Sequence, residues 1–287
     1  MSRIIDDIKQ QYKLGDITNK VIYWNVGCFI VSLIFYKFSI NQFQFPNWLA
    51  LSSNPSNFLL FPWTFLTYAF LHSGFWHLFF NMVMLNFSGR LFLTFFTQKQ
   101  FLGLYILSSI FAGISFAIVY FLMGIEAPIV GASAAVLSVL VATTTYQPLM
   151  EVRLMLIGRI KLWHITAVIV LLDIMQIMVE NTGGHIAHIS GAIFGIIFTK
   201  SLQSGTDLSL IVTNVINFFV NLFQPKKATP FKKVHVNPRK APLNVQSKIV
   251  TKDKTQQQID EILDKISQSG YDSLTAEEKE FLFKAGK

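Results

Sequence analysis

Residues 131–136 read GASAAV, set between Ile129-Val130 and Leu137-Ser138-Val139-Leu140. One hydroxyl, Ser133, stands among the smallest side chains at the start of an apolar stretch. Small residues of this kind let two helices approach closely, with the serine bonding a carbonyl one turn back. They also suit a nucleophile placed where a helix begins, because the unpaired N–H groups and the dipole there favour a developing oxyanion. The rest of the chain decides between these readings.

Of the 287 residues, 52% are hydrophobic and only 14% are charged, with a mean hydropathy of +0.46. A soluble domain carries about 25% charged residues, so the composition reads as an all-α polytopic membrane protein. The 28 phenylalanines suit lipid-facing and interfacial helix surfaces. A single cysteine, Cys28, excludes an internal disulfide and reads as packing. The net charge of +8 collects in the C-terminal tail and in alternate loops, which points to membrane orientation rather than to nucleic acid.

A spanning helix needs about 20 residues, and six segments fit: 21–40, 75–96, 101–123, 131–146, 162–179 and 186–202. The fourth is short and is expected to begin below the membrane surface. Residues 1–20 hold Arg3, Lys9, Lys13 and Lys20; Asp6, Asp7 and the missing small-residue cleavage site argue against a removable signal peptide. Arg90, in the last turns of the second segment, and Lys99 mark the second-to-third connection, and Arg153, Arg159 and Lys161 follow the fourth. Residues 41–74 carry no charge, and the remaining two connections offer only Glu126 and Glu180. The positive-inside rule then puts both termini in the cytoplasm and the chain in the cytoplasmic (inner) membrane.

Beyond the 21–203 membrane domain, residues 204–225 mix apolar residues with one Asp and four Asn/Gln, which reads as an interfacial helix rather than a seventh span. Residues 226–254 read as a flexible basic linker near anionic headgroups. Within 255–287, Ile259, Ile262, Leu263 and Ile266 keep helical spacing, Gly270 suits a helix end, and Thr275 with Glu278 forms a capping box. This predicts a small cytoplasmic helical hairpin with a docking or regulatory role, whose partner the sequence does not assign.

Three stretches can carry chemistry: HSGFWHLFFNM (72–82), GASA (131–134) and HIAHISGAIFG (185–195). Spans two, four and six all run inward from the outer face, so His77, Ser133 and His188 lie at similar depth. Polar residues at such depth are costly and face the bundle interior. A neutral imidazole on His188 could take the Ser133 proton, while His77 and Asn81, four apart on one helical face, could bond an oxygen becoming negative. Gly191 and Gly195 form a small face that lets the sixth helix press on the fourth. Spans two, four and six contain no Asp or Glu, so the expected unit is a Ser133–His188 dyad without an orienting carboxylate.

His72 and His185, also at outer helix ends, fit structural or hydrogen-bonding roles better than direct catalysis; His185, three residues before His188, is a candidate supporting partner. Asp173 falls inside the fifth span, where it must be protonated or bonded to another helix, with Gln176 one turn away. His164 sits at the cytoplasmic end of that span, and Trp63, Trp76 and Trp163 mark interfaces.

From about Phe61 to Phe198, through PWTFLTYAFLHSGFWHLFFNM, GASA and AHISGAIFG in order, the chain resembles the rhomboid family of intramembrane serine proteases. The resemblance implies a six-helix bundle in which Ser133 is the nucleophile after Gly131 and His188 the general base. It assigns oxyanion stabilisation to His77, Asn81 and the Ser133 N–H. It implies transmembrane protein substrates cut near the outer face, no metal and no organic cofactor. It also puts the fifth span beside a lateral substrate entrance, which would give Asp173 a gating role, and the tail looks like a module attached to some bacterial relatives.

Three positions depart from the family pattern: Ala134 replaces the glycine after the serine, Leu137 replaces an aromatic that stacks on the histidine, and Trp63-Thr64 replaces Trp-Arg. Ala134 and Leu137 support an alternative, an inactive rhomboid-like protein that binds transmembrane clients. A third reading, a small transporter, has only Asp173 as intramembrane charge and no internal repeat to build on.

Overall fold

The computed structural model describes residues 2–36, 38–39, 42–154, 158–179, 181–223 and 254–285. The expected basic linker lies outside them except for Lys254, as do Glu180, Ile40 and residues 224–225 of the expected interfacial segment. The chain forms two units, residues 1–226 and 227–287.

The architecture is all-α. The first unit runs through α1 (Ser2–Leu14), α2 (Ile17–Phe35), α3 (Pro55–Leu60), α4 (Thr64–Thr67), α5 (Phe75–Leu93), α6 (Gln98–Met123), α7 (Ser133–Tyr146), α8 (Leu162–Gln176), α9 (Thr182–Gln203) and α10 (Ser209–Phe223). By length and composition α2, α6 and α9 suffice to cross a membrane, while α7, α8 and α10 are shorter apolar helices. Local chemistry sets the ends. Asp16 caps α2 by accepting from the Asn19 N–H at 3.0 Å. Thr97 and Gln100 form a reciprocal capping box before α6. Gly124, at φ +67°, closes that helix in the left-handed region.

Several boundaries differ from the sequence reading. Helix α2 starts at Ile17, four residues before the expected span, and stops at Phe35, after which Phe38 pairs with Phe43. Helix α9 begins at Thr182 rather than 186, so His185 lies inside its first turns. Helix α1 was not anticipated at all.

Helix α7 occupies the middle of the bundle, and residues 134–144 along it are all buried. It packs on α5, α6 and α9. Contact with α9 is close because Gly191 faces the Ala134 carbonyl and Gly195 faces the Ser138 carbonyl, where any β-carbon would collide. Below them the Thr199 hydroxyl donates to the Ala142 carbonyl at 3.1 Å.

The uncharged stretch between α2 and α5 is packed rather than trailing. Leu51 pairs with Ile129 and Ser52 with Pro128 in an antiparallel bridge. The Tyr68 hydroxyl donates to the Ser109 carbonyl at 2.7 Å, and the Gly131 N–H donates to the Tyr68 carbonyl at 2.9 Å. The approach to α7 is thereby fixed from both sides.

The second unit holds α11 (Lys254–Ser269) and α12 (Ala276–Ala285). Thr275 and Glu278 exchange bonds in a capping box: the Thr275 N–H donates to Glu278 Oε2 at 2.7 Å and the Glu278 N–H to Thr275 Oγ1 at 3.3 Å. Lys265 Nζ donates to Glu278 Oε1 at 2.8 Å, tying α11 to α12.

Candidate active site

Ser133 is the first residue of α7, one step after a turn that requires glycine. Gly131 sits at φ +140°, a region closed to ordinary side chains. A β-carbon there would also lie 2.9 Å from Cε1 and Nε2 of His77 and 3.5 Å from the Ser133 hydroxyl. The His77 ring and the serine hydroxyl therefore flank the same glycine. Ser73 holds the far side of the ring, its hydroxyl 3.0 Å from His77 Nδ1.

Asn81, one turn further along α5, is buried and donates one amide N–H to the His77 carbonyl at 2.8 Å. The same amide carries a second N–H. In the first turn of α7 the backbone N–H groups lack an acceptor four residues back, so the Ser133 N–H is available as well. His188 Nε2 lies 2.6 Å from Ser133 Oγ. A cavity of about 900 Å³ is lined by Ser133, His188, His77, Asn81 and Gly131 together. A smaller pocket of about 190 Å³, walled by Val136, Leu137, Leu140 and Ile169, touches Ser133 and His188 from the α8 side.

The expectation of a dyad without a carboxylate needs correction. Asp173 Oδ1 lies 2.8 Å from His188 Nδ1 and 2.7 Å from His185 Nδ1. The carboxylate comes from α8, outside the three helices in which one was sought. Its partners are on α9, not Gln176 on its own helix. The signal was present in the sequence: few residues separate the end of α8 at Gln176 from the start of α9 at Thr182, so a residue shortly before the join can face residues shortly after it. His185 and His188, three apart on α9, share the face that meets Asp173.

His72 is fully buried with its ring edge-on to His77, centroids 5.1 Å apart. His164 pairs with Trp163 at 3.9 Å near the start of α8, apart from the cluster. Cys28 is a free thiol on α2. The Ala134 methyl packs with Ala112 and Ala187, and Leu137 is a wall of the small pocket beside His188. Trp63 donates its indole N–H to the Trp48 carbonyl at 2.7 Å.

Asp173, His185 and His188 offer ligand atoms within 4.8 Å of one another, a donor set able to hold a metal ion. Both nitrogens already lie at hydrogen-bond distance from the same oxygen, which accounts for the cluster without one.

Comparison with curated proteins gives no match. Residues 250–284, most of the second unit, match a family model described as a family of unknown function (DUF6576). Residues 61–204 match the model of the rhomboid domain. That range covers half of the chain and holds every residue of the cavity cluster named above, so this protein belongs to the rhomboid family of intramembrane proteases, which act on transmembrane substrates.

Proposed function

We propose that the protein is an active serine endopeptidase that hydrolyses peptide bonds in or near transmembrane segments of other membrane proteins. The observation that carries this reading is the 2.6 Å contact between Ser133 Oγ and His188 Nε2 inside a cavity of about 900 Å³. Ser133 Oγ attacks the scissile carbonyl carbon while its proton passes to His188 Nε2. The oxygen that becomes negative is met by the Ser133 N–H, by Asn81 and by His77. His188 returns the proton to the departing amine, leaving an acyl group on Ser133. Water then attacks that ester and gives a proton to His188, which passes it to Ser133 Oγ as that oxygen departs, releasing the new carboxyl end.

Ala134, a departure that favoured the client-binding alternative, packs with the small side chains of Ala112 and Ala187. The basic connections support a topology with both termini in the cytoplasm and the chain in the cytoplasmic membrane. Ser133, near the outer end of its helix, then works close to the opposite face. The basic stretch 226–253 is suited to anionic headgroups.

The test is labelling of the detergent-solubilised protein with a fluorescent fluorophosphonate, in which Ser133 Oγ displaces fluoride at phosphorus. Wild type is expected to label; Ser133→Ala and His188→Ala are each expected to fall at least ~10³-fold with folding intact. Full labelling in either variant, or none in folded wild type, refutes the assignment and leaves the client-binding reading.

A further inference from the structure

We propose that Asp173 is a positioning residue that completes a Ser133–His188–Asp173 triad. This inference rests on the protease reading, since it concerns how the base of that reaction is oriented. It also explains why a carboxylate stands inside a helix that is otherwise apolar.

A carboxylate has acceptors only, so the 2.8 Å contact between its Oδ1 and His188 Nδ1 is an N–H donating to oxygen. That bond fixes the proton of neutral His188 on Nδ1. The lone pair is therefore on Nε2, the nitrogen 2.6 Å from the Ser133 hydroxyl. The three groups form one directional chain: hydroxyl to Nε2, then Nδ1–H to carboxylate. When Nε2 takes the serine proton, the positive imidazolium lies against the negative oxygen of a buried carboxylate.

His185 answers the remaining difficulty, which is the burial of a charge. Asp173 is only 7% exposed, and an ionised carboxylate at that depth is unstable without donors. His185 Nδ1 supplies a second N–H to the same oxygen at 2.7 Å. Two imidazole donors, three residues apart on α9, hold the carboxylate charged while leaving His188 Nε2 directed at Ser133. The oxygen thus belongs to a cluster built from both helices.

The experiment measures fluorophosphonate labelling of the full chain at graded probe concentrations, which separates the maximal rate from the half-saturating concentration. Thermal unfolding and the 15N resonances of the histidines are recorded in parallel. Asp173→Asn keeps the shape and removes the charge. Its maximal rate is expected to fall 10²- to 10⁴-fold, with half-saturation within threefold of wild type and unfolding within a few degrees. A merely structural residue would instead move half-saturation or stability, and Asp173→Glu is expected to recover part of the rate. In wild type, the His188 resonances, identified by their loss in His188→Ala, are expected to report the Nδ1-protonated tautomer.

A rate for Asp173→Asn within threefold of wild type overturns the proposal, as does an Nε2-protonated His188. If the Asn variant does not fold, the wild-type tautomer decides. If folded wild type does not label at all, the protease reading fails instead, and the tautomer still reports on the Asp173 bond.

Discussion

Helices α7 and α8 are almost the same length, 14 and 15 residues, and both are apolar. Their surroundings are opposite. Helix α7 is buried from Ala134 to Thr144, whereas on α8 only Leu162, Thr166 and Asp173 are buried. Ser133, the proposed nucleophile, thus stands on the most enclosed element of the bundle. The carboxylate behind the base stands on one whose Val168, Leu171, Leu172, Ile174 and Met175 face outward. Apolar length and composition do not distinguish these two helices; the polar residues and their spacing do. On α8 the buried positions 162, 166 and 173 define one narrow stripe, and the side-chain bonds to Thr144 on α7 and to His185 and His188 on α9 come from it.

The sharpest break of this contrast is a pair of substitutions. Gly191→Leu drives a side chain into the Ala134 carbonyl on the enclosed helix. Overpacking of that kind is expected to destabilise the bundle by about 3 kcal/mol or more. Leu171→Ala on the exposed face of α8 is expected to change stability by no more than ~0.5 kcal/mol. Thermal unfolding in detergent compares the two, and equal effects would mean that the two helices are held alike.

A finer probe is Thr166, whose hydroxyl lies 2.7 Å from that of Thr144 and links α8 to α7 within the core. Thr166→Val should lower stability by about 1 kcal/mol. It should also raise hydrogen exchange in α8 more than in α7. Uniform exchange across both helices would contradict the stripe as the attachment of α8.

The mildest effect belongs to an exposed pair in the second unit. The Lys265 ammonium beside Glu278, with help from the Thr275 N–H, holds the Glu278 carboxyl below its usual value. A lowered carboxyl contributes stability that is present above its unfolded-state value and is lost as pH falls through the folded one. Amide exchange in α12 should therefore quicken as pH drops through the lower carboxylate range, after correction for intrinsic rates, and Lys265→Ala should flatten that dependence. An unchanged profile in the variant would remove Lys265 as the cause.

Much of this arrangement was readable from residues alone. GASA, the 77/81 spacing and the glycines of 185–195 are each defined by steric or chemical need, and each lands where that need operates. Asp173 was read as protonated or bonded to another helix, but its partners, His185 and His188 on α9, were not identified from the sequence. Its meaning depends on the register between α8 and α9 across a short join. The folded stretch from Leu51 to Phe70 was read as an uncharged loop because its order comes from backbone bonds to Ile129 and Gly131, which leave no periodic side-chain signal.

The closeness of α8 and α9 in the chain, Gln176 ending one and Thr182 opening the other, has a consequence for biogenesis. Asp173 and His188 are 15 residues apart in the chain, whereas Ser133 and His188 are 55 apart. Contacts close in sequence form without waiting for distant segments. A pair of helices entering the bilayer together as α8 and α9 carries its carboxylate already supplied with donors. The charge is therefore supplied with donors from within the α8–α9 pair, through contacts far shorter in sequence than the one that joins His188 to Ser133.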